Sequence, residues 1–380
     1  MRFNEDIDKS WAIKKLQDVV SIHARIGWQG LRQSEFLDTG EIYLITGTDF
    51  KNGIIDYSNC KYIDKDRYEL DKNIQVSNGD ILITKDGSIG KIAFVEKLTI
   101  PATLNAGVYR VRAKDNSIRS KYLFHYLDGP FLMDYAAKNS TGGTIQHLNQ
   151  SSIINLPVPI PNLKIQNKIS CFLDLVDKRI ETQIKIIEDL EALNIELKRA
   201  QFNKIKMNVP NNLFSDIFNE YKEFNSRELT QYTIGKKGIV SLDSELNYNT
   251  DKHIVFHPGT CILGIGIDEI GVSRDIEGCC SPIYKTYNIN HSIAMLDYIY
   301  HFSRMYFDSI KRFVTQKSTR REYEFDYKAL KKMKMYIPSI EEQSKLVNLF
   351  NSFESKIKKE KDILKCYESQ KVYLLRNLFI

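Results

Sequence analysis

Between Pro161 and about Lys206 the apolar positions fall at three- and four-residue intervals: Ile169, Leu173, Val176, Ile180, Ile187, Leu190 and Leu197. Gln183 and Asn194 interrupt this stripe, and no Gly or Pro lies within it. The spacing predicts one helix of about 40 residues, about 60 Å at helical rise. Asn162 can cap its start, directly after the extended run that ends in Ile160-Pro161. A helix this long exceeds what a compact domain ordinarily holds.

The same pattern returns 177 residues later as Leu346, Phe350, Phe353, Ile357, Leu364, Tyr367, Leu374 and Leu378, with Glu360 and Lys371 at the interruptions. Nine identities link the two segments without a gap, from Ile160-Pro161, Gln166 and Lys168 through Ile180, Glu191, Leu197 and Arg199 to Phe202. Composition alone would give roughly three. An internal repeat of this length implies two similar halves, each a globular segment followed by a long helix. A heptad-like seam on both helices predicts that they pair, and the intervening globular segment returns the chain so that the pairing is antiparallel. The expected pairing residues are Ile169, Leu173, Val176, Ile180 and Ile187 on one helix, with Phe350, Phe353, Ile357, Leu364 and Leu374 on the other. The basic run Lys356, Lys358, Lys359 and Lys361 reads as a solvated face.

Outside the helices the pattern changes to short runs of β-propensity bounded by Gly, Asp and Asn: Ile42–Ile45, Ile81–Thr84, Ile92–Val95 and Val108–Val111. A helix is predicted over about Ser120 to Lys138. The second half repeats this order loosely: Gly259–Leu263 answers Gly79–Ile83, and Tyr298–Phe302 answers Tyr122–Tyr126. His125 and His301 lie on aromatic helical faces and read as packed side chains. The expected fold is α+β, with two globular α/β domains separated by an antiparallel coiled coil of two long helices in a pseudo-twofold internal repeat. The expected boundaries are 1–161, helix 162–206, linker 207–226, second domain 227–338 and helix 339–380. Pro210 and broken periodicity mark the linker.

Bulk composition narrows the class. The 380 residues are 42% hydrophobic and 27% charged, as in ordinary globular protein, with a net charge of +6. That charge leans mildly toward a polyanionic partner. No run reaches 18 apolar residues, so no membrane span is expected, and Met1 to Trp11 lacks the apolar core of a signal peptide. The six cysteines are scattered without metal-ligand spacing. Adjacent Cys279-Cys280 reads as packed thiols, and a reducing cytoplasm is the expected setting. Gly87–Lys91 lacks the spacing of a phosphate-binding loop, and Gly264-Ile265-Gly266 lacks a third Gly at the offset of a dinucleotide turn. No methyltransferase, nuclease or metal motif appears, so the chain reads as a binder without catalytic groups.

Several motifs in doubled order carry a resemblance. They are Trp11, Lys14-Lys15-Leu16 and Asp18-Val19; Gly79–Ile83 with Gly87–Gly90; Gly142-Gly143-Thr144, Leu148-Asn149 and Leu156–Pro161 leading to Gln166. The second half supplies Ser318-Thr319-Arg320, Phe325, Leu330, Met335, Ile337-Pro338 and Glu342-Gln343. Over nearly its whole length the chain resembles the specificity subunit of a type I restriction-modification enzyme. Arg25–Leu31 also resembles a segment of one subset of its recognition domains. The resemblance implies two target recognition domains, each reading half of a split, asymmetric double-stranded DNA target, and helices that set the unread gap. It implies two modification (methyltransferase) subunits and two restriction (motor-nuclease) subunits as partners. S-adenosylmethionine, ATP and Mg²⁺ would be bound by those partners, with no cofactor in this chain.

Specific readout needs groups that anchor phosphates and groups that read base edges. The expected DNA-binding residues in the first domain are Arg25, then Lys85, Ser88 and Lys91, then Thr141, Thr144, Gln146 and His147. In the second they are Arg274 with Lys317, Ser318, Thr319, Arg320 and Arg321. A specificity component for a type IIB or IIG-like system, and a coiled-coil adaptor carrying two protein-binding domains, are the alternative readings.

Overall fold

The computed structural model describes residues 11–27, 30–139, 147–224, 229–235, 238–242, 252–264, 270–303, 305, 315–316 and 324–379. They form two compact units: Met1–Lys185 with Asp362–Ile380, and Ile186–Lys361.

In the first unit, β1 (Val20–Ala24), β2 (Ile81–Thr84), β3 (Ile92–Phe94) and β4 (Val108–Ala113) form one antiparallel sheet in the order β1-β4-β2-β3. The unbroken apolar run of β2 is buried on both faces, as strand alternation requires. Ile81 and Ile83 face a core shared with α1 (Ser120–Asp128) and the long helices, whereas Leu82 faces a second core. That second core lies against a smaller sheet ordered Lys61–Tyr62, Tyr43–Ile45, Ala102–Leu104 and Gln75–Val76, whose two central strands run parallel. Ala12–Lys15 pairs with Pro157–Ile160 and ties the start of the domain to its end.

The second unit repeats this topology. Here β5 (Phe218–Tyr221), β6 (Thr260–Leu263), β7 (Gly271–Val272) and β8 (Lys285–Ile289) are ordered β5-β8-β6-β7. The smaller sheet runs Gly238–Ser241, Gln231–Gly235, Gly278–Cys280, Ile254–Phe256, again with its central pair parallel. Cys261, Cys279 and Cys280 are buried thiols in these strands, in no disulfide, and burial pushes all three upward in pKa.

One expectation is corrected. Much of 207–226, read as linker, is the opening of the second domain: Asn212–Leu213 pairs with Lys334–Met335, a turn of helix covers Phe214–Ile217, and β5 follows. Asp216 accepts the backbone N–H of Leu213 at 2.7 Å just as Asp18 accepts that of Lys15 at 3.2 Å. A two-residue strand has no periodicity to detect. Burial of Phe214, Ile217 and Phe218 holds the segment in place.

The long helices are α2 (Leu163–Lys206) and α3 (Ile340–Asn377). Asn162 caps α2 by accepting the N–H of Ile165 at 3.0 Å, and Ser339 with Glu342 forms a reciprocal cap on α3. In the first unit the start of α2 contributes Ile169 and Leu173 to the core, and the end of α3 contributes Leu375, Leu378 and Phe379. In the second unit the start of α3 contributes Val347 and Phe350, and the end of α2 contributes Phe202. Within the second unit Lys361 pairs with Glu191, Glu354 with Lys198, and the Phe350 ring meets Phe202. Partner numbers fall on one helix as they rise on the other, so the helices run antiparallel there. Within the first unit Arg179 stacks on Tyr367 at 4.5 Å, and Lys371, at a polar interruption of the stripe, joins Asp177 at 2.8 Å and Asp128 at 2.7 Å. Of the other expected seam residues, Ile187 and Ile357 are buried and Val176, Ile180, Phe353, Leu364 and Leu374 are half-buried.

Candidate nucleic-acid interface

Strand register gathers four chain ends at one edge of the first-unit sheet. Ala24 lies opposite Tyr109, Val108 opposite Thr84, and Ile83 opposite Ile92. The chain therefore leaves β1 at Arg25, leaves β2 at Lys85, enters β3 from Lys91 and enters β4 from Gly107, all on that edge. The smaller sheet brings a further turn there, because Asn105 donates to the Ile45 carbonyl at 2.9 Å, next to Thr46–Asp49.

The loop from Lys85 to Lys91 is shaped by two glycines in the left-handed region, Gly87 at φ 71° and Gly90 at φ 78°. A Cβ on Gly90 would meet the Met133 side chain, and the left-handed backbone there strains any larger residue. The buried Thr84 hydroxyl cinches the loop, accepting the N–H of Lys91 at 2.9 Å and donating to the Ser88 carbonyl. Lys85 donates its N–H to Gly107 and accepts that of Leu148, each at 2.9 Å. His147 Nδ1 lies 2.7 Å from Asp86 Oδ1. The two loops expected to touch DNA thus meet, with Ser88, Lys91 and His147 exposed and the Lys85 ammonium 5.6 Å from the centre of the Tyr109 ring. Ammonium groups and open backbone suit phosphates; the imidazole and hydroxyl suit base edges.

Arg25 is not part of this surface. It is 2% exposed, and its Nε donates to the Leu104 carbonyl at 2.9 Å. Burial and neighbouring Arg67 lower its pKa. Its neighbour Ile26 is exposed in its place. Thr46, Thr48 and Asn105 reach the edge without having been expected there. Thr46-Gly47-Thr48-Asp49 reads locally as a capping turn, and only the parallel pairing of Tyr43–Ile45 with Ala102–Leu104 sets it beside Lys85. Thr141, Thr144 and Gln146 lie outside the described residues.

The corresponding edge of the second unit is set by Tyr221 opposite Thr286 and Leu263 opposite Lys285. Lys222 leaves β5 there with its ammonium 4.6 Å over the Phe224 ring. Glu220 takes Lys285 at 2.6 Å and Lys331 at 3.1 Å; burial acts to raise its carboxyl, but the two cations hold it below the usual range. Arg274 follows β7 and so leaves at the opposite edge. Its Nε is 2.9 Å from Asp297, and its guanidinium lies 4.0 Å over the Tyr300 ring, so its functional groups face its own domain. Lys317, Ser318, Thr319, Arg320 and Arg321 lie outside the described residues. Among the described residues no group of three or more His, Cys, Asp or Glu side chains could hold a metal ion, and no helix is long and apolar enough to cross a membrane.

Residues 8–192 match the type I restriction modification DNA specificity domain. The chain is 28% identical over 202 residues to the type I restriction enzyme MjaIX specificity subunit of Methanocaldococcus jannaschii, covering 52% of this chain and 44% of that protein. It is 23% identical over 168 residues to the EcoR124I/EcoR124II specificity subunit of Escherichia coli, covering 44% of this chain and 40% of the relative. The matches thus span less than half the length of these relatives. By fold, the chain superposes over its full length on the type I restriction-modification S subunit of M. genitalium, with a TM-score of 0.54, 17% identity and 98% of that chain covered. A chain from a study of complex assembly and conformational transition in the type I system gives a TM-score of 0.63 at 13% identity, with 98% of each chain covered.

Proposed function

We propose that this chain is the DNA specificity subunit of a type I restriction-modification system. It reads a bipartite, asymmetric double-stranded target with one half-site per unit, and it directs methylation and restriction carried out by partner subunits. The observation that carries the reading is the repeated sheet edge: the same topology presents loops of different chemistry in the two units, as two different half-sites require. The helices α2 and α3 set the number of unread base pairs between the half-sites. Two modification subunits and two motor-nuclease subunits complete the assembly and bind S-adenosylmethionine, ATP and Mg²⁺.

The test is single-molecule methylation sequencing of DNA from cells carrying this chain with its neighbouring modification gene, against the same cells without it. A split motif methylated only when the chain is present is the expected result. Methylation that never depends on the chain would sink the proposal. Binding should also weaken steeply with salt, because phosphate contacts release counterions; salt-insensitive binding to proteins alone would favour an adaptor.

A further inference from the structure

An acidic side chain on a surface meant for DNA needs a reason, since a carboxylate repels phosphate. Asp86 sits inside the loop that carries Lys85 and Lys91, beside Gly107, and next to the Lys85 whose ammonium lies over the Tyr109 ring. Its one described side-chain partner is His147, at 2.7 Å, on the neighbouring loop. The pair is open to solvent, with His147 68% and Asp86 44% exposed at the side chain, so it adds little to stability. What it does determine is the imidazole. A carboxylate only accepts, so Nδ1 must carry the proton and Nε2 of the neutral ring is left as an acceptor pointing away from Asp86.

We propose that Asp86 is a positioning residue and His147 a base-reading residue of the first unit. In this role Nε2 of His147 accepts a hydrogen bond from the exocyclic amine of an adenine or cytosine in the major groove. The inference rests on the specificity reading and deepens it: Lys85 and Lys91 hold the backbone, while Asp86 assigns the polarity of a contact that discriminates between bases. A carboxamide at position 86 can donate or accept, so it would leave either tautomer open. Glutamate keeps the acceptor.

The test is methylation sequencing of cells carrying the complete system with wild-type chain, His147→Ala, Asp86→Asn or Asp86→Glu, scored for the preferred base at each position of both half-sites. Expected is a drop of about tenfold in selectivity at one and the same base pair for His147→Ala and Asp86→Asn. Asp86→Glu should keep the wild-type base, and the other half-site should be unchanged in every variant, which also reports that the chain has folded. Lys91→Ala should instead weaken methylation at all sites alike. If His147→Ala and Asp86→Asn keep the full motif, or lose activity evenly with no change of base preference, the pair is a loop staple and the inference fails. If the wild-type chain directs no methylation at all, the specificity reading itself fails first.

Discussion

The two units share a backbone scheme and solve its polar problems differently. Where a side chain meets backbone, the solutions coincide. Gln166, fully buried, donates to the carbonyls of Pro161 at 2.8 Å and Ser117 at 3.0 Å and accepts the N–H of Arg119 at 2.8 Å. Gln343, also fully buried, donates to Pro338 and Ile293 and accepts from Met295, all at 2.8 Å. Where side chain meets side chain, the solutions diverge. In the first unit buried Asp80 takes both prongs of Arg112, at 2.6 and 2.7 Å; in the second, the corresponding Thr260 bonds the Tyr221 hydroxyl at 2.8 Å. A carbonyl cannot be substituted, so its partner is constrained. Two side chains can be exchanged together.

The strongest way to break this comparison is to remove the shared amides. Gln166→Leu and Gln343→Leu each strand buried backbone groups at the root of a long helix. Each should cost about 3 kcal/mol or more, since an unsatisfied buried group costs about 1–3 kcal/mol. Urea unfolding of the two variants should give nearly equal losses, with reduced amide protection in the first unit for one and the second for the other. Unequal losses would mean that the coincidence of partners is not a coincidence of energy.

The divergent sites should respond unequally. Asp80→Ala leaves the Arg112 guanidinium without its bidentate partner and should cost about 1.5–3 kcal/mol, the range of hydrogen bonds to charged groups. Thr260→Val removes one neutral hydrogen bond and should cost about 0.5–1.5 kcal/mol. Chemical denaturation of the two variants ranks them, and a larger loss for Thr260→Val would overturn the ordering.

The histidines sharpen the same point. His125 and His301 occupy corresponding places on the helices over Ser120–Asp128 and 296–303, but Nε2 of His125 meets Asp174 at 2.9 Å where His301 meets Asn351 at 3.0 Å. Burial first, and the nearby Lys198 ammonium second, push His301 down from 6.5 to about 4. The unfolded chain therefore binds more protons between those values, so stability is full above about pH 6.5 and falls as pH drops toward 4. Going from pH 7 to pH 5 should cost roughly 2 kcal/mol through this group. His301→Gln should remove that part of the acid sensitivity, read as the difference between urea midpoints at the two pH values. An imidazole NMR titration near the ordinary value would contradict it.

How much of this was legible in the sequence follows from range. The helices, their pairing direction and the repeat showed themselves because each is written in a long periodic pattern. The strand runs of β2 and β6 showed because burial on both faces leaves an unbroken apolar stretch. The opening of the second domain did not, because Asn212–Leu213 is too short to have a pattern and is defined by partners 123 and 121 residues away, Met335 opposite Asn212 and Lys334 opposite Leu213. The expectation for Arg25 rests on the resemblance of Arg25–Leu31 to a segment of one subset of recognition domains, and a local motif reads alike whether its guanidinium meets a phosphate or its own chain. Its true acceptor, Leu104, lies 79 residues on. The Asp86–His147 pair, 61 residues apart, was invisible for the same reason, although both loops that carry it were marked by their glycines and hydroxyls.

Arg274 offers the finest version of the comparison and the smallest effect. After β3 the first unit has Glu96, whose carboxylate lies 3.4 Å from Lys121 on α1, with the ammonium 4.1 Å over the Phe94 ring. After β7 the second unit has Arg274, paired at 2.9 Å with Asp297 and lying over Tyr300. Lys121 and Asp297 sit 176 residues apart, as do His125 and His301, so the same strand-to-helix contact carries an ion pair of reversed polarity. All four side chains are about a third exposed, so each pair is worth no more than about 1 kcal/mol. Reversing both charges, Arg274→Glu with Asp297→Lys, should therefore leave stability within a few tenths of a kcal/mol of wild type, while either change alone sets like charges together and costs about 1 kcal/mol. The double-mutant cycle reads this coupling directly. A double variant no better than the singles would show that Arg274 is held by its stacking on Tyr300, and that the reversed polarity plays no part in seating the helix.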